Sequence, residues 1–231
     1  MDVQSVMEVL GVLIIAFVLG VIVPLTLTFT FVKLRGGSEE MYQLGAEVKS
    51  GKVAELLPWG TDSLASLTRE WVGNSTYTES LFGRSDQAAG RVPSARADSG
   101  WLLAFTMASK KDGDHGRLVA ITSAHRLELR VASGVCHAAV NGKPLGTIKL
   151  GEPGLFAPDG SQLGSHRSGG PLTLRARDVA TLDARTSCVS ARPPALTPLI
   201  TNLAAERPPE DEAWTLVVAV LQMAWVRPAP S

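Results

Sequence analysis

A mainly β chain with a hydrophobic helix at each end is what this sequence predicts, and three observations carry it. Val9 to Val32 is an uncharged run of 24 residues, short segments with a two-residue period recur from Trp101 onward, and Ala213 to Val226 is nearly unbroken apolar sequence. The expected fold is a single N-terminal transmembrane helix followed by an antiparallel β-barrel or sandwich with a buried C-terminal hydrophobic helix. At 231 residues and 45% hydrophobic content the chain suits one or two domains and excludes disorder throughout. Its 22 basic and 22 acidic residues cancel, so no global field draws in nucleic acid, and a nucleic-acid binder is excluded.

The N-terminal run comes first. As a helix it would span about 36 Å, against a hydrocarbon core of roughly 30 Å, which is enough to cross with tilt. Asp2 and Glu8 stand where a signal peptide would carry bases, and Lys33 and Arg35 follow the run, so residues 1–35 read as an uncleaved anchor. Lys33, Arg35, Lys49 and Lys52 on its C-terminal side place the remainder in the cytoplasm by the positive-inside rule. Inside the span, Pro24 frees a carbonyl that the hydroxyls of Thr26, Thr28 and Thr30 can help satisfy, which predicts a mild kink.

Residues 36–100 read as a juxtamembrane region. Gly36-Gly37-Ser38-Glu39-Glu40 breaks the helix. A short helix is expected from Thr61 or Asp62, because Asp62 can cap it, Leu64, Leu67 and Trp71 share a face, and Gly73 would stop it. Gly83 to Gly100 holds Gly, Ser, Asp, Arg and Ala with almost no large apolar side chain, the composition of a linker or long mobile loop.

From Trp101 the period is two. His125 to Val131 alternates charge with Leu127, Leu129 and Val131, and Trp101–Met107, Arg117–Thr122, Pro144–Leu150 and Pro171–Arg175 read the same way. Strands this short and close together must pair antiparallel, since a parallel crossover needs a dozen or more residues. Residues 101–231 therefore form the β domain. Within it Asn141-Gly142-Lys143-Pro144-Leu145-Gly146 and Asp159-Gly160-Ser161-Gln162-Leu163-Gly164 repeat one pattern at an offset of 18. Asn-Gly and Asp-Gly accept the positive φ of tight turns, and the following glycine permits a bulge or a close backbone approach. The terminal run, too short for a comfortable membrane span, reads as a buried helix or central strand, with Asp211 and Glu212 suited to a helix's first turn.

Short strands with repeated Asp/Asn-Gly-x-x-Leu-Gly hairpins, ending in a hydrophobic segment preceded by acids, resemble the tubby-like and phospholipid scramblase-like superfamily over Trp101 to Val226. The resemblance implies a closed barrel around a buried C-terminal helix, and lipid or membrane-surface binding. The chain departs from that pattern by carrying its long anchor at the N-terminus and by lacking a cysteine-rich tract and an acidic calcium loop.

Catalytic signatures are absent: there is no G-x-S-x-G, P-loop, G-x-G-x-x-G or H-E-x-x-H. Cys136 and His137 are strand neighbours and so point to opposite faces, and the four histidines fall at unrelated spacings, although His125 and His137 could meet across strands. Asp112 and Asp114 beside Lys110-Lys111 read as a polar hairpin tip. Cys136 and Cys188 show no metal-site or disulfide-framework spacing and could pair only in an exported domain. No catalytic residue, metal or cofactor is assigned.

The expected function is therefore that of a single-pass membrane protein whose cytoplasmic β domain binds membrane lipid or a partner protein. An accessory or assembly subunit of a membrane complex, held through its anchor by another membrane protein, is the second reading, and a tethered enzyme the third. For a lipid or partner surface the available cations are Lys110, Lys111, Arg126, Arg130, Arg175 and Arg177. Arg126 and Arg130 share one strand face and Arg175 and Arg177 another, and those four form the candidate surface if the two strands are neighbours.

Overall fold

The computed structural model describes residues 39–80, 83–97, 99–110, 113–152 and 154–225. The expected anchor, residues 1–35, lies outside them, as do Lys111 and Asp112. No helix among the described residues is long and apolar enough to cross a membrane. Ser38–Ser231 forms one compact unit.

That unit begins with a helix the sequence reading did not anticipate, α1 (Glu39–Ser50). Its acids Glu39 and Glu40 sit in the first turn and Lys49 in the last, complementing the helix dipole. It ends in a Schellman motif: Lys52 N donates to Glu47 O, Gly51 N donates to Val48 O, and Gly51 takes φ +78°. Only Met41, Gly45 and Val48 are buried. So thin an apolar stripe is why the helix was hard to read in sequence. Val48 joins Ala104, Val119 and Ile121 in a small outer core, apart from the main one.

The expected helix after Asp62 is instead a single 3-10 turn, Leu64–Ser66, followed by strand β1 (Glu70–Ser80). Leu64 and Leu67 are buried as the helical spacing required, but Trp71 reaches the core by strand alternation. Gly73 is not a helix stop: a Cβ there would lie 2.2 Å from the carbonyl oxygen of Ala89 on the next strand. The expected linker is also a correction, since Gly83–Pro93 is strand β2, paired antiparallel with β1. Its small residues have a packing reason. A Cβ on Gly90 would meet Trp71 Cε3 at 2.3 Å, so the indole lies over this strand, edge-on to Phe105 with ring centroids 5.1 Å apart.

Eleven strands run from Trp101, β3 (Trp101–Lys110), β4 (His115–Ile121), β5 (Arg126–Ala132), β6 (Val135–Val140), β7 (Lys143–Lys149), β8 (Gly154–Phe156), β9 (Gln162–His166), β10 (Pro171–Leu174), β11 (Arg177–Leu182), β12 (Ser187–Val189) and β13 (Ile200–Leu203), and β3, β4, β5, β7 and β10 fall on the five segments whose period predicted strands. They make one 13-stranded sheet in which β1 to β11 are sequential antiparallel neighbours, β12 pairs in parallel with β1, and β13 pairs with β11. Its two ends are also joined. Arg69 N donates to Thr197 O at 3.0 Å, Leu199 N to Leu67 O at 2.7 Å and Asp183 N to Leu199 O at 2.8 Å, so the sheet curls back on itself.

Inside the curl runs α2 (Pro209–Trp225), buried from Trp214 to Ala224 without a break. Strands on several sides touch it: Trp225 reaches Gly116 of β4, Trp214 reaches Gly146 of β7, and Gln222 donates to the Asp183 carbonyl after β11. A helix apolar all round is stable only where it is covered all round, and the sheet supplies the cover. The repeated glycines act as their spacing implied. Asn141 (φ +52°) and Gly142 (φ +77°) make the β6–β7 turn, and a Cβ on Gly146 or Gly164 would sit 2.1 Å from Phe156 O or 1.9 Å from Thr173 O. The second turn differs, being a wider loop in which Asp159 Oδ1 accepts from Ser161 N and Oγ.

Candidate binding surface

The structure brings the four candidate arginines together only two by two. β5, which carries Arg126 and Arg130, is separated from β10 by four intervening strands and from β11 by five. Arg175 lies not in a strand but in the β10–β11 turn at φ +50°, and Arg177 opens β11. Both turn toward the first turn of α2. Arg177 Nη2 donates to Asp211 Oδ2 at 2.7 Å, and Arg175 donates to Asp211 Oδ1 and Glu210 Oε2. The Asp211 side chain is fully buried, so these two guanidinium groups neutralise a carboxylate that water cannot reach. They hold the end of the central helix.

Arg126 has a comparable local duty. Its Nε donates to Glu128 Oε1 at 2.9 Å and its Nη1 to the Lys49 carbonyl at 3.2 Å, so it takes up one of the open carbonyls at the end of α1. Arg117 Nη2 meets the other oxygen of Glu128 at 3.0 Å. Hydrogen bonding from Arg126 first, then Arg117, holds the Glu128 carboxyl below its usual range against the opposing effect of burial.

Arg130 remains exposed and makes no ion pair among the described residues. Register places it directly between Arg117 of β4 and His137 of β6, and the same row continues to Thr147 of β7 and Phe156 of β8. On the strands carrying this row, Leu118, Leu129, Val131, Cys136, Ala138 and Ile148 point the other way into the core. The row is therefore the outer face of the sheet. Sequence reasoning found Arg130 but missed its companions, because Arg117 and His137 become neighbours only once the strands pair. The signal was present in the Ser133-Gly134 turn, whose positive φ angles of +50° and +76° fix Arg130 opposite His137.

The remaining reactive groups are dispersed. Cys136 and His137 do face opposite ways, the thiol buried and the imidazole exposed, and burial pushes the thiol up to about 12. His125 packs edge-on against Trp59, with centroids 5.6 Å apart, and does not face His137. Cys136 and Cys188 are both free thiols, on strands β6 and β12. Among the described residues no group of His, Cys, Asp and Glu is arranged to hold a metal ion. A cleft of about 430 Å³ lies between the 3-10 turn, the end of β13 and the first turn of α2, with Asp62, Arg207 and Glu212 in its walls. Glu212 there accepts a hydrogen bond from Trp59 Nε1 at 2.8 Å, and Arg207 donates to the carbonyls of Thr61 and Ala204.

No family model, curated protein or solved structure matches the chain.

Proposed function

We propose that this chain is a single-pass membrane protein whose C-terminal β domain binds anionic membrane lipid without catalysis, the domain lying on the cytoplasmic side. The proposed architecture is a β-barrel around a central helix, as the resemblance to the tubby-like and scramblase-like superfamily implies. A single observation carries the reading: Arg117, Arg130 and His137 stand side by side on the outer face, and Arg130 has no carboxylate partner among the described residues. With a chain net charge of zero, general electrostatics is weak, and only a local cluster of this kind gives an anionic headgroup a reason to prefer one face.

Co-sedimentation of the Ser38–Ser231 unit with vesicles tests it. Vesicles containing phosphatidylserine should carry the protein down, neutral phosphatidylcholine vesicles should leave it in solution, and Arg117→Gln with Arg130→Gln should shrink the difference many-fold. Recovery in the supernatant throughout would sink lipid binding and leave a protein partner, met through the anchor, as the better account. Orientation is checked separately. Protease added outside intact cells should spare Trp101 to Trp225, and digestion there would reverse the topology.

A further inference from the structure

The row through Arg130 has a neighbour. Two residues further along each strand, Lys110 of β3, His115 of β4, Ala132 of β5, Val135 of β6 and Lys149 of β7 are successive cross-strand partners. Together the two rows place Lys110, His115, Arg117, Arg130, His137 and Lys149 on one outer face, and all six are exposed. Neither row contains a carboxylate. Two of the bases have acid partners from outside the rows: Arg117 meets Glu128, which Arg126 shares, and Lys149 Nζ meets Glu152 at 3.3 Å. Between the cations lie Ala132, Val135 and Thr147, small enough to let a flat object approach. Phe156 closes one end, with the Lys149 ammonium 5.3 Å from its ring centroid.

We infer that this two-row stripe is the surface by which the domain lies flat on a bilayer rich in singly charged anionic headgroups, each lysine or arginine meeting a different lipid. The inference rests on the lipid-binding reading above and specifies its mode. Geometry favours many weak contacts over one strong one. Adjacent strands are about 4.8 Å apart and alternate residues about 7 Å, so the six side chains spread over roughly 19 Å of open sheet from β3 to β7. A single polyphosphorylated headgroup needs its cations converging in a concavity, whereas these side chains stand side by side on extended strands. A leaflet presents charges at lateral spacings that a row of strands can match. Each well-placed base contributes roughly fivefold to partitioning at low salt, and the gain falls once salt shortens the screening length.

The test uses the full chain in lipid nanodiscs of phosphatidylcholine alone or enriched in phosphatidylserine. Acetylation of Lys110 and Lys149 is read by mass spectrometry against Lys143, at the opposite end of β7, as internal reference. In phosphatidylserine discs Lys110 and Lys149 should be modified several-fold more slowly than in neutral discs. High salt should restore the neutral rate, Arg117→Gln with Arg130→Gln should move it part of the way there, and unchanged cooperative melting would show that this variant remains folded. Equal rates in both discs, with vesicle binding of the isolated unit intact, would overturn the stripe and leave the lipid-binding reading standing. Protection that requires a polyphosphorylated lipid would overturn the many-contact mode. Failure of the chain to enter discs, together with failure of the unit to bind vesicles, would remove the underlying reading itself.

Discussion

Arg177 Nη2 lies 2.7 Å from Asp211 Oδ2, joining the first residue of β11 to the first turn of the central helix. Arg175 holds the other oxygen of the same carboxylate. Three consecutive acids begin that helix, and each is engaged: Glu210 by Arg175, Asp211 by both arginines, and Glu212 by the indole of Trp59. The end of a helix inside a sheet is where unpaired polar groups would be costly, and here charged partners from the strands and from the segment before β1 meet it. Acids suit that end through the helix dipole as well.

This arrangement predicts unequal costs along the acidic turn. Asp211→Ala leaves two guanidinium groups without their buried partner and should destabilise the protein by about 3 kcal/mol, the lower end expected for breaking a buried pair, because both arginines are partly solvated. Glu210→Ala removes a half-exposed ion pair and should cost less than about 1 kcal/mol. Urea denaturation of both variants measures the contrast. Equal costs would show that the buried carboxylate has no special part in seating the helix.

The central helix itself offers a sharper test. Val218 is 2% exposed, and an aspartate there would place a charge where nothing can pair it, costing several kcal/mol out of the roughly 5–15 by which domains are stable. Val218→Asp should fail to fold, and a chain ending at Glu212 should aggregate because the inner face of the sheet loses its filling. A truncated chain that stays monomeric and melts cooperatively would mean that the sheet needs no such filling.

Alternation made β3 to β5 and β7 readable in sequence, since one inward residue in two was apolar and the turns carried glycine or asparagine. The terminal helix was readable because its apolar residues leave no solvent face. What escaped notice depended on a partner distant in sequence. β2 looked like a linker because its Ala88, Ala89 and Gly90 are small, and at Gly90 a Cβ would meet the Trp71 indole at 2.3 Å. The helix expected near Leu64 misread two buried leucines whose continuation is a strand, and α1 shows only three buried positions in 12 residues. The binding surface was half visible: Arg126, Arg130, Arg175 and Arg177 are all conspicuous cations, but buried Asp211 claims the last two, and only strand register assembles Arg117 and His137 with Arg130.

Glycine substitutions separate two kinds of constraint. Gly142 has φ +77° but open space around it, so Gly142→Ala should cost only about 1 kcal/mol of backbone strain. At Gly164 a Cβ would lie 1.9 Å from the main-chain oxygen of Thr173, and β9 and β10 would have to part to admit it. Gly164→Ala should therefore cost about 3–5 kcal/mol, among the largest effects of single substitutions. Thermal melting of the two variants gives the order, and similar melting temperatures would refute it.

Thiol reactivity should follow the same inside and outside. Cys188 is exposed although its thiol is somewhat raised by burial, whereas Cys136 is wholly buried and pushed up to about 12. The thiolate is the reactive form, so one thiol per chain should react with an aromatic disulfide reagent under native conditions and two in denaturant. Rapid native modification of Cys136, or a bond between Cys136 and Cys188 after thiol trapping, would contradict the placement of β6.

His166 makes stability depend on pH. Its ring faces inward from β9, opposite Leu172, and burial lowers its pKa from the ordinary 6.5, opposed by the nearby Gln222 side chain of the central helix and the Pro171 carbonyl. The folded state thus disfavours the protonated ring relative to the unfolded chain. Stability is complete above about pH 6.5 and falls as the pH drops below that value, until the folded-state pKa is passed, because in that window the unfolded state binds more protons. Asp183, held low first by hydrogen bonds from Arg185, and Glu128, held low first by Arg126, add a loss of the same sign in the more acidic carboxylate range. Urea midpoints measured between about pH 7.5 and pH 5 should fall for the native sequence, and His166→Gln, which cannot titrate, should flatten that part of the profile while leaving the acidic limb in place. A profile that keeps its slope near neutrality in the variant would assign the effect to another group.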